Sequence, residues 1–130
     1  VDLTALADTD AADLPYGAKK RLELAMALAG LPASGPRLLL LDEPAAGLAA
    51  AERAALMALV SQLAASGVAV LYTEHNMDAV FGVADRVLVL IDGQIAAQGT
   101  PDEVARDATV RQRYLGQGFA LGARTAGAGT

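Results

Sequence analysis

The chain has 130 residues, 54% of them hydrophobic, which is enough apolar material for a compact core. Its formal net charge of -5 argues against a nucleic-acid-binding surface, because a phosphate backbone calls for a basic face. It contains no cysteine and one histidine, which excludes disulfides and thiolate metal sites and leaves little for zinc.

Membrane and secretion signals are weak in this sequence. Every long apolar stretch is interrupted by charge, Gly or Pro well short of the ~20 residues that a membrane-spanning helix needs. The acidic start, VDLTALADTD, lacks the basic region of a signal peptide. We therefore expect a soluble, cytoplasmic protein that could still dock on a membrane protein.

The first third of the chain predicts a helix followed by a buried strand. The Ala-rich segment up to Asp13 predicts only weak helicity. After LPYG, an apolar stripe at helical spacing predicts an amphipathic helix that stops at Gly30 and Pro32. The run LLLL after Arg37 is too short for a lone helix and predicts a strand buried on both faces. The stripe consists of Leu22, Ala25, Met26 and Ala29.

The middle of the chain repeats this alternation. A second helical stripe ends at Ser66 and Gly67, and VAVLYT then predicts another apolar strand. A short amphipathic helix follows, and RVLVLIDGQIAAQG predicts two strands joined by a tight turn at Asp92 and Gly93. The two stripes consist of Leu56, Leu59, Val60 and Leu63, and of Met77, Val80, Phe81 and Ala84.

The C-terminal segment opens with a helix start, TPDE. Thr100 is the predicted N-cap, Pro101 the first helical residue, and Glu103 completes a capping box. A short helix is predicted to continue through YLG. Gly and Ala dominate residues 116–130, for which we predict a flexible tail.

The order strand, helix, strand, helix, strand predicts an α/β fold with a parallel sheet and right-handed crossovers. In open sheets of this kind, ligands bind beyond the carboxyl ends of the strands. Polar residues occupy such ends here, and they are Asp42, Glu43, Glu74 and His75.

The adjacent carboxylates of Asp42 and Glu43 have two interpretations. One is a strand end that meets water, with one carboxylate capping a neighbouring turn. The other is a divided site, because neighbouring side chains diverge where a strand turns. In a divided site Asp42 binds phosphate-bound Mg²⁺, and Glu43 polarises the attacking water.

His75 also has two interpretations. A single histidine is usually a satisfied polar group. Its position two residues past the second strand, however, brings it near the carboxylates if the two strands are neighbours in the sheet. An imidazole donates a hydrogen bond in either tautomer, which suits a γ-phosphate or the attacking water.

Three cations, KKR at residues 19–21, lie in the first turn of the helix that follows LPYG. Cations there oppose the helix dipole by ~0.3–1 kcal/mol each, so something else must favour them. They form either a solvated basic patch or part of an anion site built on the backbone N–H groups of residues 16–18.

Three stretches in this order and spacing resemble ATP-binding cassette (ABC) proteins. LPYGAKKRLELAMALA resembles the signature motif with its helix, and LLLLDEPAAGL resembles the Walker B strand with the D-loop. VLYTEHNMDAVFGVADRVLVLIDGQIAAQGTP resembles the histidine switch and the strands after it. The forms LPYG, AAGL and EHNMDAVFGVADR look most like the ATPase subunits of branched-chain amino-acid uptake systems.

The resemblance implies a fold, and it implies roles for particular residues. Residues 1–115 are implied to form the C-terminal part of a P-loop NTPase fold, a mostly parallel sheet with flanking helices and a C-terminal β-hairpin. Asp42 is implied to bind Mg²⁺, Glu43 to be the catalytic carboxylate, and His75 to contact the γ-phosphate. The implied signature, which contacts ATP held by a second subunit of a head-to-tail dimer, consists of Leu14, Pro15, Tyr16, Gly17 and Ala18. The implied D-loop at that dimer interface includes Ala46, Gly47 and Leu48.

The sequence departs from the family pattern in several places. Pro15 replaces the usual serine of the signature, Ala18 replaces the usual glutamine, and Ala49 stands where the D-loop commonly ends in Asp or Asn. No G-x-x-x-x-G-K-[ST] occurs, so the phosphate cradle has no counterpart in these residues. We therefore expect the C-terminal half of a cassette, which alone neither binds ATP tightly nor hydrolyses it.

The resemblance leaves several hypotheses about function. The first is an ATPase subunit with ATP and Mg²⁺ as cofactors, which drives uptake of hydrophobic amino acids through transmembrane permease subunits from the cytoplasmic face of the cell membrane. The alternative is a catalytically incomplete cassette that binds or regulates an intact ABC ATPase. An ABC ATPase of DNA repair or chromosome maintenance is a third, but such proteins flank these motifs with long heptad arms, which this sequence lacks.

Overall fold

The computed structural model describes residues 2–115 and divides the chain into two compact units, Val1–His75 and Asn76–Thr130. The tail predicted to be flexible, residues 116–130, lies outside the described residues. Each unit contains a two-stranded sheet with helices around it. No helix within residues 2–115 has the length and apolar character that crossing a membrane requires.

The first unit alternates helices and strands as predicted. Its two strands pair in parallel, in register from Leu38 opposite Ala69 to Asp42 opposite Thr73. A helix connects them, because parallel strands need a long crossover. The weakly helical opening segment forms only two short 3-10 turns. In chain order the elements are these turns at Thr4–Leu6 and Ala11–Asp13, helix α1 at Tyr16–Ala29, strand β1 at Leu38–Asp42, helix α2 at Ala50–Ala65 and strand β2 at Ala69–Thr73.

The predicted helix stops of the first unit are confirmed. Gly30 is the C-cap of α1, and Ser66 is the C-cap of α2. Gly67 follows with φ 90°, a left-handed conformation that favours glycine because it has no Cβ. The Ser66 hydroxyl donates to the Leu63 carbonyl at 2.7 Å, which satisfies one of the last free carbonyls of α2.

Two predictions about which residues are buried in this unit are wrong. Strand β1 was predicted to be buried on both faces, but Leu39 is 3% exposed while Leu38 and Leu40 are 56% and 64% exposed. The stripe predicted on α1 is also not its buried face, because Met26 is 68% exposed and Leu24 only 4%. Apolar residues lie on more than one face of α1, so the sequence pattern is compatible with several buried faces and packing selects among them. On α2 the buried residues are Leu56, Met57 and Val60.

The second unit begins with the predicted short helix and hairpin. Asp92 and Gly93 have φ 49° and 76°, the positive angles that a two-residue hairpin turn requires. The sequence pattern suggested that the third strand extends the parallel sheet. In the described residues it pairs antiparallel with the strand that follows it, because the tight turn brings the two together locally. The elements are α3 at Met77–Val83, β3 at Val87–Ile91, β4 at Gln94–Gly99, α4 at Pro101–Arg106, α5 at Ala108–Val110 and a π-helical turn at Arg111–Leu115.

The second unit has its own apolar core. All four apolar residues predicted to face the core from α3 belong to this cluster or pack against it, so that prediction is confirmed. The buried members are Phe81, Val87, Val104, Ala105 and Val110, and the residues around them are Met77, Val80, Ala84, Val89, Ala97 and Leu115.

Helix α4 begins with the predicted capping box, and this motif supports a stability prediction. The Glu103 N–H donates to Thr100 Oγ1 at 3.3 Å, and the Thr100 N–H donates to the Glu103 carboxylate at 2.8 Å. Thr100→Ala removes the first bond and should lower the free energy of unfolding by about 1 kcal/mol, measured from urea midpoints. Thr109→Ala, an exposed position in α5, is the matched control. Equal midpoints for the two variants would contradict the cap.

Candidate functional site

The candidate site lies in the first unit, where strands β1 and β2 end. Because the strands are parallel, their carboxyl ends meet at one edge of the sheet, and the register places Asp42 opposite Thr73. Glu43 follows Asp42, and Glu74 and His75 follow Thr73. The structure thus brings together the polar residues predicted to meet at this edge, while their chemical roles stay predictions.

Thr73 connects the two strand ends, and the sequence analysis missed it. Its hydroxyl donates to Asp42 Oδ1 at 2.5 Å and accepts from the Glu43 N–H at 3.0 Å. The same N–H lies 3.1 Å from the Thr73 carbonyl oxygen. A hydroxyl residue at the last position of β2, level with Asp42 in a parallel pair, was the available signal. One side chain therefore holds both the carboxylate of Asp42 and the backbone of Glu43.

Glu43 has an unusual backbone conformation. Its φ is 43°, in the left-handed region that non-glycine residues seldom adopt. The hydrogen bonds of its N–H to Thr73 offset part of that cost. The turn separates the two adjacent carboxylates, because Asp42 bonds to Thr73 while Glu43 reaches His75. This divergence is the geometry that the divided site requires.

Glu43 and His75 form the exposed part of the site. His75 Nδ1 lies 3.3 Å from Glu43 Oε1, and their side chains are 73% and 50% exposed. Which ring nitrogen carries the proton depends on the tautomer, so the contact is either a hydrogen bond or, with a protonated ring, an ion pair. Such exposure makes the pair weak in itself and leaves both groups accessible to a ligand.

The loop at residues 43–49, which contains the predicted D-loop, is held by several side chains. Glu74 Oε1 accepts from the Ala45 N–H at 3.1 Å, and Arg53 donates to the Leu48 carbonyl at 3.1 Å. Ala45 and Leu48 are buried, so both flanks of the loop are anchored. Among the predicted D-loop residues, Leu48 is therefore an anchor, whereas Gly47 lies at the exposed tip.

The predicted signature lies at the start of α1. Leu14 is buried, Pro15 precedes the helix, and residues 16–18 form its first turn. In the described structure no side chain caps this end, so the first N–H groups of α1 point out of the helix without a side-chain acceptor. A Cβ at Gly17 would lie 2.6 Å from Glu52 Oε1, so a side chain at this position would displace the carboxylate that α2 places there.

The prediction that all three cations lie in the first turn is wrong, because α1 begins at Tyr16, and Lys20 and Arg21 therefore follow that turn. Two of the three have partners within the chain. Lys19 Nζ donates to the Ala12 carbonyl at 2.8 Å. Lys20 Nζ lies 3.0 Å from Glu23 Oε2, and the hydrogen bond to Glu23 raises the pKa of Lys20. The Lys20 side chain is 20% exposed, so a fully solvated patch does not describe it.

The residues at the sheet edge fit a magnesium ion only in a limited way. Within residues 2–115 no three His, Asp or Glu side chains are grouped to hold a metal. Mg²⁺ often binds to proteins through one or two carboxylates while waters and substrate phosphates complete its shell. Asp42 is exposed and Thr73 engages only its Oδ1, so a single-carboxylate contact of this kind fits the site.

Comparison with known proteins identifies relatives of this chain. No family model matches the chain. It is 40% identical over 119 residues to the lipopolysaccharide export system ATP-binding protein LptB of Acidithiobacillus ferridurans, covering 92% of this chain and 48% of that protein. It is 39% identical over 118 residues to the high-affinity branched-chain amino acid transport ATP-binding protein BraF of Pseudomonas aeruginosa, covering 90% and 45%.

A solved structure agrees with these relatives. The ADP conformation of MJ1267, an ATP-binding cassette of an ABC transporter, superposes with a TM-score of 0.74 at 33% identity, covering 88% of this chain and 45% of that one. The α/β fold is therefore that of an ABC ATPase cassette. The chain spans about half the length of the curated relatives that it matches. It corresponds to the C-terminal part of an ABC transporter ATP-binding subunit.

Proposed function

We propose that this chain supplies the Walker B, D-loop, switch and signature elements of an ATPase subunit that energises an ABC importer for branched-chain or other hydrophobic amino acids. The observation that carries the proposal is the sheet edge, where Thr73 connects Asp42 with the backbone of Glu43 and the Glu43 carboxylate contacts His75. Its two carboxylates point to different partners, as a divided metal and water site requires.

Each residue at the sheet edge has a separate task in this proposal. Mg²⁺, when bound with ATP, neutralises charge on the phosphates, and Asp42 would hold it. Glu43 orients the attacking water, and its exposed carboxylate is accessible for that purpose. His75 donates a hydrogen bond to the charge that develops on the γ-phosphate. Its ring lies beside the water-orienting carboxylate, 3.3 Å from Glu43 Oε1.

The signature segment acts on ATP held by a second subunit in this proposal. Pro15 offers no hydroxyl and Ala18 no amide, so recognition relies on the N–H groups at the start of α1 and on the helix dipole. The proposed assembly is a head-to-tail dimer of ABC ATPase subunits on transmembrane permease subunits, at the cytoplasmic face of the membrane.

The proposed class of transported substrate rests on the sequences of three motifs. LptB and BraF are almost equally similar to the chain, at 40% and 39% identity, so overall identity does not choose between their transport roles. The forms LPYG, AAGL and EHNMDAVFGVADR favour the branched-chain type.

A second candidate is a catalytically incomplete cassette that binds or regulates an intact ABC ATPase. The observation in its favour is that one compact unit contains both the start of α1 and the loop at residues 43–49. Such a chain presents its signature to ATP bound by the partner. Gly17→Ala would place a methyl group against the Glu52 carboxylate beside the helix start, and binding to an intact ATPase should then weaken.

The 130-residue chain should not hydrolyse ATP alone. It has a metal ligand and a water-orienting carboxylate, but no motif that positions the phosphates. Phosphate release by the purified chain with Mg²⁺ and ATP should equal the protein-free blank, and Glu43→Gln should change nothing. Turnover that disappears in the Glu43→Gln variant would contradict this expectation.

A chimera tests both the activity and the substrate class. Its N-terminal half is the part of BraF that this chain does not match, and its C-terminal half is this chain. We expect ATP turnover that falls on the order of 100-fold with Glu43→Gln, whereas the control Asp102→Asn, which removes an exposed carboxylate in α4, should leave turnover unchanged. In cells lacking BraF, the chimera should restore uptake of branched-chain amino acids. An equivalent chimera with LptB should not restore lipopolysaccharide export, and the opposite outcome would refute the substrate class.

The hydroxyl of Thr73 should contribute to the rate of ATP hydrolysis. In the BraF chimera, Thr73→Val keeps the shape of the side chain but removes the bonds to Asp42 and to the Glu43 N–H. We expect kcat to fall about tenfold, which corresponds to the loss of roughly one hydrogen bond to a charged group. Thr73→Ser keeps the hydroxyl and should restore most of the rate. A Ser variant as slow as the Val variant would show that the hydroxyl is not the cause.

A further inference from the structure

Tyr16 makes contacts that the proposed roles do not use. It lies in the first turn of α1, and its hydroxyl donates to the Ala46 carbonyl at 3.1 Å, 30 residues further along the chain. A Cβ built on Gly47 would lie 3.2 Å from Tyr16 Cε1 and 3.4 Å from the hydroxyl oxygen. The ring therefore lies directly on the tip of the loop at residues 43–49.

Burial does not fix the tip of this loop. Ala45 and Leu48 are 3% and 5% exposed and anchor the two flanks, but Gly47 between them is exposed. Gly47 has φ 75°, a backbone conformation that glycine adopts readily and that residues with a Cβ seldom adopt. Burial fixes the flanks of the loop, and Tyr16 is the side chain that covers its tip.

The position of Tyr16 is itself supported from α1. Lys20, one helical turn further on, places its Nζ 5.7 Å from the centre of the Tyr16 ring, within the range of a cation–π contact. A second close approach ties the same helix turn to α2, where the backbone of Gly17 lies against Glu52. Tyr16 is 51% exposed, so it is not a core residue whose removal would open the interior.

We propose that Tyr16 is a positioning residue that fastens the loop tip, residues 46–47, to the first turn of α1, so that the two segments keep one relative geometry. This inference rests on the proposed function for its consequence, because these segments are the proposed D-loop and signature. A nucleotide on a second subunit would then meet both segments as a single preformed surface.

Amide hydrogen exchange in the full 130-residue chain tests the fastening without any nucleotide. Tyr16→Phe removes the hydroxyl and keeps the ring, and we expect exchange at the amides of residues 46–48 to rise about two- to fivefold, as loss of one exposed hydrogen bond predicts. The urea midpoint should stay within error of the unsubstituted chain. Tyr16→Leu should also remove the ring-current shift of the Gly47 protons, which Tyr16→Phe retains.

Tyr114→Phe is the matched control, because the Tyr114 hydroxyl donates to the Leu90 carbonyl at 3.2 Å within the second unit. It should leave exchange at residues 46–48 unchanged. Unchanged exchange in Tyr16→Phe, or an equal rise in Tyr114→Phe, would overturn the inference.

The consequence for catalysis is measured separately. In the BraF chimera, Tyr16→Phe should lower kcat about threefold and change KM for ATP less than twofold, whereas a KM change as large as the kcat change would overturn a positioning role. If the chimera hydrolyses no ATP, the proposed function fails while the exchange result stands on its own.

Discussion

The in-register parallel pairing of β1 and β2 is the constraint on which the candidate site depends. It places Asp42 level with Thr73, so one hydroxyl reaches the Asp42 carboxylate and the Glu43 N–H together. A shift of one residue would turn these side chains to opposite faces of the sheet. Just beyond the paired residues, Glu43 adopts its unusual φ and contacts His75.

Contacts from several elements, together with two buried residues, hold the loop at residues 43–49 beside the site. Glu74 holds one flank of the loop at residues 43–49, Arg53 holds the other, and Tyr16 covers the tip. Each of these bonds is modest alone, on the order of 1 kcal/mol, but together with two buried anchors they define one loop conformation. A site for a charged ligand needs groups that are exposed and already held in position, because binding then requires no rearrangement of those groups.

Local features of the fold were predictable because their causes are local. Gly67 after α2, the Asp92 and Gly93 turn and the capping box at Thr100 each depend on residues within a few positions of one another, and all are confirmed. The buried faces were less predictable. Leu38 and Leu40 look like core residues in sequence, yet they are exposed here because burial depends on what packs against a strand, which periodicity does not encode.

For the site, the sequence by itself determined which chemical groups are present and where each strand ends. The carboxylates of Asp42 and Glu43 and the imidazole of His75 follow apolar runs, which was enough to predict that they meet. Only the tertiary structure decided how they meet. Thr73 bonds to residues about thirty positions away, and Tyr16 likewise reaches Ala46. Such contacts depend on strand register and helix packing, and no local pattern in the sequence specifies those.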